Sequence, residues 1–230
     1  MKKSIVVCLV VATAFLSQGL FADSWGNAKL IKTIPLTLAD ETIVQLNIDV
    51  SAGDLSITGN EGQSGIVVTA KVFGEESSVD DYVLSLEKEG DKAVLIAQFR
   101  NNSHNNERID LEVTMSPSLA LLVHDRSGDI SIESVSNGLT LNDRSGDVVG
   151  KNFQGDVIIN DRSGEIQLKD VFGDLNIEDS SGDIRAKNIS GVVTIEDSSG
   201  DIDINGAADF KSKNDGSGDV SLRNINRILK

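Results

Sequence analysis

One cysteine in 230 residues, Cys8, leaves this chain almost no thiol chemistry. It lies in an apolar run near the amino terminus, without the small residues that precede a lipid-modified cysteine. Once that leader is removed no cysteine remains, which excludes disulfides, thiolate metal centres and a cysteine nucleophile together. Stability must then come from packing and backbone pairing. Histidine is equally scarce: His104 and His124 are too few for a histidine metal cluster, and no nucleophile elbow or phosphate loop is present. Aromatic residues make up 4% of the chain, whereas a sugar-binding surface would present several. Tyr82 and Phe99 read as core residues, and Trp25 as an exposed one. Positive charge is also short, with 21 basic against 36 acidic residues. Nucleic acid and anionic lipid surfaces are therefore poor partners, and cationic groups better ones.

Residues 1–22 read as a secretory signal. Met1-Lys2-Lys3 is a positive start, Ile5 to Leu16 an apolar core, and Ala22 a cleavage point. The run is shorter than the ~20 residues of a membrane span, so no transmembrane segment is expected after removal. Export to the periplasm, cell surface or medium of a bacterium follows. Loss of Lys2 and Lys3 moves the formal charge from −15 to −17.

What the chain has in abundance is one motif. DRSGDI at Asp125 returns as DRSGDV at Asp143, DRSGEI at Asp161, DSSGDI at Asp179 and Asp197, and DGSGDV at Asp215, each 18 residues after the last. Apolar residues fall at positions six, eight, eleven, fifteen and seventeen, as in Ile166, Leu168, Val171, Leu175 and Ile177. The second unit has Gly150 at its eighth position. A nine-residue echo, Gly146/Gly155 with Asp147/Asp156, divides each unit into two strand-turn halves. Gly128, Gly146, Gly164, Gly182, Gly200 and Gly218 mark the turns, because glycine accepts positive φ and a neighbouring aspartate bonds local amides.

Such a unit cannot bury its apolar face alone, but stacked copies can. The predicted fold is all-β: a parallel β-solenoid, or single-stranded β-helix, of about six 18-residue coils spanning 123–230. With strands ~4.8 Å apart, six coils extend roughly 29 Å. Propeller blades and leucine-rich repeats are longer, and a hexapeptide helix would mark every sixth residue. Residues 23–122 read as an irregular β-rich portion, either a cap on the first coil or a separate sandwich. It holds one early turn of the same type at Ser51-Ala52-Gly53-Asp54 and a hairpin around Glu89-Gly90-Asp91. At the other end Lys211 and Lys213 occupy the fifteenth and seventeenth positions of the fifth unit, which reads as a protected edge.

Stacking sets Asp125, Asp143, Asp161, Asp179, Asp197 and Asp215 in one file, and Asp129, Asp147, Glu165, Asp183, Asp201 and Asp219 in another. Carboxylates one strand apart repel by ~1 kcal/mol even in water. Arg126, Arg144 and Arg162 stand ready to neutralise the first file, but later units replace them by serine and add Glu178 and Glu196. The rod therefore has a charge-balanced end and an acidic end. Glu178, Asp179, Asp183, Glu196, Asp197 and Asp201 are the metal-ligand candidates, for Ca²⁺, although the extra glycines of secreted calcium-binding repeats are missing. The competing reading is that each aspartate caps its own turn. His124 stands where later units have Asn142, Asn160 and Glu178, a solvated turn position rather than a general base.

An early Ser-x-Gly-Asp strand, irregular β segments and a ladder of Ser-Gly-Asp-Ile-x-Ile units after a leader resemble the bacterial putative-adhesin β-strand-repeat domains, relatives of the head-GIN domains. The likeness covers roughly Ile34 to Leu229. It implies the fold and supplies no catalytic or cofactor-binding residues. The expected function is a non-enzymatic, adhesin-like interaction or scaffold module of the cell envelope whose partner is an envelope or surface protein. The alternatives are a calcium-binding extracellular rod and a polysaccharide-active β-helix enzyme, for which paired carboxylates with an arginine are the raw material.

Overall fold

The computed structural model describes residues 28–74, 81–100 and 107–229, so the leader, Trp25 and His104 lie outside the described residues. The described chain contains strands and turns and no helix. The amino-terminal part holds β1 (Lys29–Leu38), β2 (Gln45–Val50), β3 (Leu55–Gly59), β4 (Ile66–Gly74), β5 (Tyr82–Glu89), β6 (Lys92–Phe99) and β7 (Arg108–Met115). The repeats supply β8 (Ala120–His124), β9 (Ile130–Val135), β10 (Leu139–Asn142), β11 (Val148–Gln154), β12 (Val157–Asn160), β13 (Ile166–Phe172), β14 (Leu175–Asp179), β15 (Ile184–Ile189), β16 (Val192–Asp197), β17 (Ile202–Asp215) and β18 (Val220–Leu229). All belong to one 18-stranded sheet wound into a parallel β-solenoid.

Each repeat gives one strand to each of two walls. β8, β10, β12, β14 and β16 stack in parallel, with Leu121, Leu139, Val157, Leu175 and Val193 in one inward file. β9, β11, β13 and β15 form the facing wall, stacking Ile130, Val148, Ile166 and Ile184. These inward residues are buried, whereas most of those between them face outward.

The eleventh apolar position breaks strict alternation, and a backbone feature explains it. Ser134, Asn152, Asp170, Asn188 and Asn224, all at the tenth position, have φ between 55° and 62°. That left-handed residue bends the strand so that positions eight and eleven both face the core. Asn, Asp and Ser tolerate it far better than a branched residue would.

The amino-terminal strands join the same stack out of sequence order. β2 lies in parallel between β6 and β8, and β3 between β7 and β9. Thus the β2–β3 coil, with the early Gly53 turn, abuts the first repeat, and the later β6–β7 coil lies beyond it. Antiparallel β5 covers β6, while β4 and then β1 extend the β7 side. The β5–β6 hairpin turns at Gly90, as its sequence predicts, and Tyr82 and Phe99 pack edge to face at 5.9 Å against the core. Pro35 sits on β1 opposite Thr69, on an edge strand where proline is tolerated.

The carboxyl end departs from expectation. Phe210, not Lys211, pairs with Val193, and a bulge follows between Ile195 and Glu196. Phe210 is buried, and Lys211 and Lys213 are exposed. The repeat shortens by one residue here because the only large apolar side chain available lies one position early. β18 closes the stack as an edge strand, its Arg223 and Arg227 paired with Asp203 and Asp209 on β17.

Two substitutions test this packing. Gly182 has φ 142°, and a Cβ there would collide with the Gly164 carbonyl one coil back. Gly182→Val is expected to destabilise by at least about 2 kcal/mol in a denaturant titration, from backbone strain plus the clash; an unchanged midpoint would refute the turn geometry. At Gly150 a Cβ would stand 2.7 Å from the Phe153 ring and 2.8 Å from Leu168. The ring fills the space that other coils give to a larger eighth residue. Gly150→Leu is expected to lose about 1–3 kcal/mol by overpacking, and Phe153→Val in the same chain to restore most of it.

Candidate functional site

Alternation continues past the seventeenth position into the motif: Leu141 points in, Asn142 out, and Asp143 in again. Consequently Asp125, Asp143, Asp161, Asp179 and Asp197 are buried, at most 5% exposed. In each of the first four, Oδ1 accepts the backbone N–H groups of the next two residues, as Asp143 does from Arg144 at 2.6 Å and Ser145 at 3.2 Å. Asp197 accepts from Ser199 at 3.0 Å. This is the turn-capping role. The serine at the third position then ties coil to coil, Ser145, Ser163, Ser181 and Ser199 each donating to a carbonyl of the preceding turn.

The other oxygen, Oδ2, of Asp125, Asp143, Asp161 and Asp179 is buried without a hydrogen-bond partner. Burial, aided chiefly by the neighbouring carboxylates of the stack, raises Asp125 to about 8 and Asp143, Asp161 and Asp179 to about 6, from 3.8. The sequence suggests neutralisation by Arg126, Arg144 and Arg162. Instead, among the described residues none of these guanidinium groups forms an ion pair, and burial shifts the aspartates of the file toward the protonated form.

The second acidic file solves the same repulsion differently. Asp54 Oδ1 accepts the N–H of Asp129, Asp129 that of Asp147, and Asp147 that of Glu165, at 2.9 to 3.2 Å. Asp183 and Asp201 continue the ladder to Asp219. At the longer Glu165 the ladder is interrupted, and Arg185 bridges Glu165 and Asp183. The nine-residue echo is the same device at the opposite corner, where Asp156 accepts from Asp174 and Asp174 from Val192.

The six metal-ligand candidates are therefore divided. Glu178 and Glu196 stack in register on the exposed outside of β14 and β16. Asp179 and Asp197 turn inward, and Asp183 and Asp201 serve the exposed ladder. Among the described residues no three of His, Cys, Asp and Glu gather as a metal-holding group. His124 is an exposed residue at the end of β8.

Sequence reading missed the feature that these turns create together. A groove of about 610 Å³ runs along this corner, from the coil of His124 to that of Glu196. Asp125, Asp143, Asp161 and Asp179 line it. One flank carries Asn142, Asn160, Glu178 and Glu196, the residues just before each aspartate; Arg126, Arg144, Arg162, Ser180 and Ser198, the residues just after, line the other. Outward residues on either side of an inward file would have revealed it, had the aspartates been read as inward.

A family model described as Toastrack DUF4097 matches residues 15–170, more than half of the chain. The chain belongs to the Toastrack DUF4097 family. The match takes in the first three Arg-bearing turns and ends before the coils of Glu178 and Glu196. No curated protein matches this Toastrack chain. It is similar in structure to a putative cell adhesion protein from Clostridium sporogenes, at 12% identity and TM-score 0.42, over 86% of this chain and 99% of that one. A putative adhesin from Bacteroides fragilis aligns at 16% identity and TM-score 0.43, over 86% and 96% of the two chains. A putative lipid binding protein from Parabacteroides distasonis aligns at 16% and 0.36, over 89% and 98%.

The aspartate file gives the Toastrack rod a pH response of defined sign. Because the folded state holds these protons more tightly than the unfolded chain, the stability they contribute is full below about pH 4. It is lost as pH rises through about 6 for Asp143, Asp161 and Asp179 and about 8 for Asp125. Stability is expected to be lower at pH 8.5 than at pH 5, by roughly 1 kcal/mol for each of Asp143, Asp161 and Asp179 and by more for Asp125. Asp161→Asn keeps the Oδ1 acceptor and removes the titration, so the difference between variant and parent should favour the variant increasingly with pH; a constant difference would refute the assignment.

Proposed function

We propose that the protein is an exported, non-enzymatic interaction module of a bacterial envelope, and that the corner groove is the surface its partner occupies. The observation that carries this reading is the repetition of the groove: the same two rows of positions flank the buried aspartates coil after coil instead of converging on one spot. An extended macromolecular partner can use such a row, whereas a small substrate uses one place. The chemistry of the individual groups supports it. The buried aspartates are committed to turn amides and the exposed ladder to coil-to-coil bonds, so neither offers the free acid and base pair that a polysaccharide-active enzyme needs. Groups left for a partner are the guanidiniums of Arg126, Arg144 and Arg162 and the carboxylates of Glu178 and Glu196, the latter suited to cationic groups.

Photo-crosslinking residues placed at Arg126 and Ser198, with Lys187 on the other wall as control, test the reading in intact cells. Discrete adducts from the two groove positions and none from Lys187 are expected, with the protein recovered from the envelope fraction. Retention in the cytoplasm, or no adduct at either groove position, would overturn it.

A further inference from the structure

We infer that the occupant of the groove is a second copy of this chain, the two rods lying antiparallel about a twofold axis between the coil of Arg162 and the coil of Glu178. This rests on the reading of the groove as the interaction surface and names its partner.

The charge pattern along the groove is self-complementary in both directions. Lengthwise, the exposed arginines occupy the earlier coils and the exposed glutamates the later ones. Crosswise, the arginines follow the buried aspartate by one residue and the glutamates precede it by one. A twofold axis normal to the groove exchanges its ends and its sides at once. It therefore sets Arg162 of one copy opposite Glu178 of the other and Arg144 opposite Glu196, each twice.

Spacing makes the match more specific. Charges on successive coils repeat at the strand separation, ~4.8 Å, and a second stack of the same strands presents its opposite charges at the same interval without drift. A uniform polyanion would meet the arginine end and be repelled by the glutamate end; a uniform polycation would meet the reverse. Among the described residues the one ion pair on either row is the long contact of Glu178 with Lys213 at 3.7 Å, a surface pair of little strength. The remainder of the molecule opposes association, since each copy carries a formal charge of −15. The groove is where that repulsion is locally reversed.

Sedimentation of the wild-type chain is expected to show a concentration-dependent dimer. Arg144→Glu with Arg162→Glu, and separately Glu178→Arg with Glu196→Arg, should each weaken it at least about ten-fold, because like charges then face each other. An equal mixture of the two variants should dimerise again, since four acidic pairing positions in one variant meet four basic ones in the other. Register is checked with single cysteines in a Cys8→Ser background, mixed in pairs after differential tagging. Arg162→Cys with Glu178→Cys should form a mixed disulfide, whereas Arg126→Cys with Glu178→Cys, displaced by about 10 Å along the rod, should not. The cysteine pairs keep the inference testable if a charge reversal fails to fold. A wild-type monomer, a charge-reversed variant that still dimerises alone, or disulfides formed equally by both pairs would overturn it. A monomer whose groove positions still crosslink to a different protein removes self-pairing and leaves the interaction surface standing; a monomer without groove adducts removes both.

Discussion

In a stack of parallel coils every residue meets its own counterpart one strand away, above and below. That constraint governs which residues this chain can use at each position. Apolar side chains satisfy it by packing, as the buried columns of Ile, Val and Leu do. Glycine satisfies it where two backbones approach so closely that a Cβ would strike the next carbonyl, as along the file from Gly53 to Gly218. A repeated charge recurs at ~4.8 Å; solvent screens that repulsion on the outside, where Lys151, Lys169 and Lys187 stack in register, but inside the protein it is far larger than in water.

The chain meets the charge problem in three ways, each visible at a named corner. The leading aspartates are buried and shifted toward the protonated form, with one oxygen kept for the turn amides. The trailing acids remain exposed and pass each carboxylate oxygen to the amide of the next coil, so that repulsion between side chains is offset by a charge-assisted bond to the backbone. Where Glu165 breaks that ladder, Arg185 takes its place between Glu165 and Asp183. Aspartate suits the first two roles because its short side chain reaches only the nearest amides.

Much of the fold was legible because it follows from period alone. The 18-residue interval, the inward columns and the glycine corners are one-dimensional facts that stacking copies into space. The left-handed tenth position was legible too, since it is always Ser, Asn, Asp or Gly, but a scan for apolar marks passes over it. The order of the amino-terminal coils was not, because β6 and β7 add to the far side of β2 and β3, and no local pattern states which side of an open edge a later strand will take. The shift to Phe210 was hidden for a related reason: a fixed frame puts Lys211 in the core, whereas the chain bulges to bury the ring instead. At the candidate site, the turn-capping role was readable from the Asp-x-Ser-Gly pattern. The groove was not, because it depends on the aspartate pointing inward, and acidic residues are read as outward by default.

The same constraint decides which side chains remain available for recognition. Residues inside the coils or bonded between them are committed to the stack, and their identity repeats because stacking demands it. The positions flanking the buried aspartates change character between the same two coils, from Arg126, Arg144 and Arg162 to Ser180 and Ser198, and from Asn142 and Asn160 to Glu178 and Glu196. Packing does not require the change at the exposed arginines or at Glu178 and Glu196, whereas Asn142 and Asn160 are half-buried and joined coil to coil, Asn160 Nδ2 donating to Asn142 Oδ1 at 3.0 Å. The change adds a polarity of charge to the polarity that the parallel stack already has. A partner that reads this surface must therefore read polarity along the rod as well as charge, and a rod lying the opposite way round carries that polarity already.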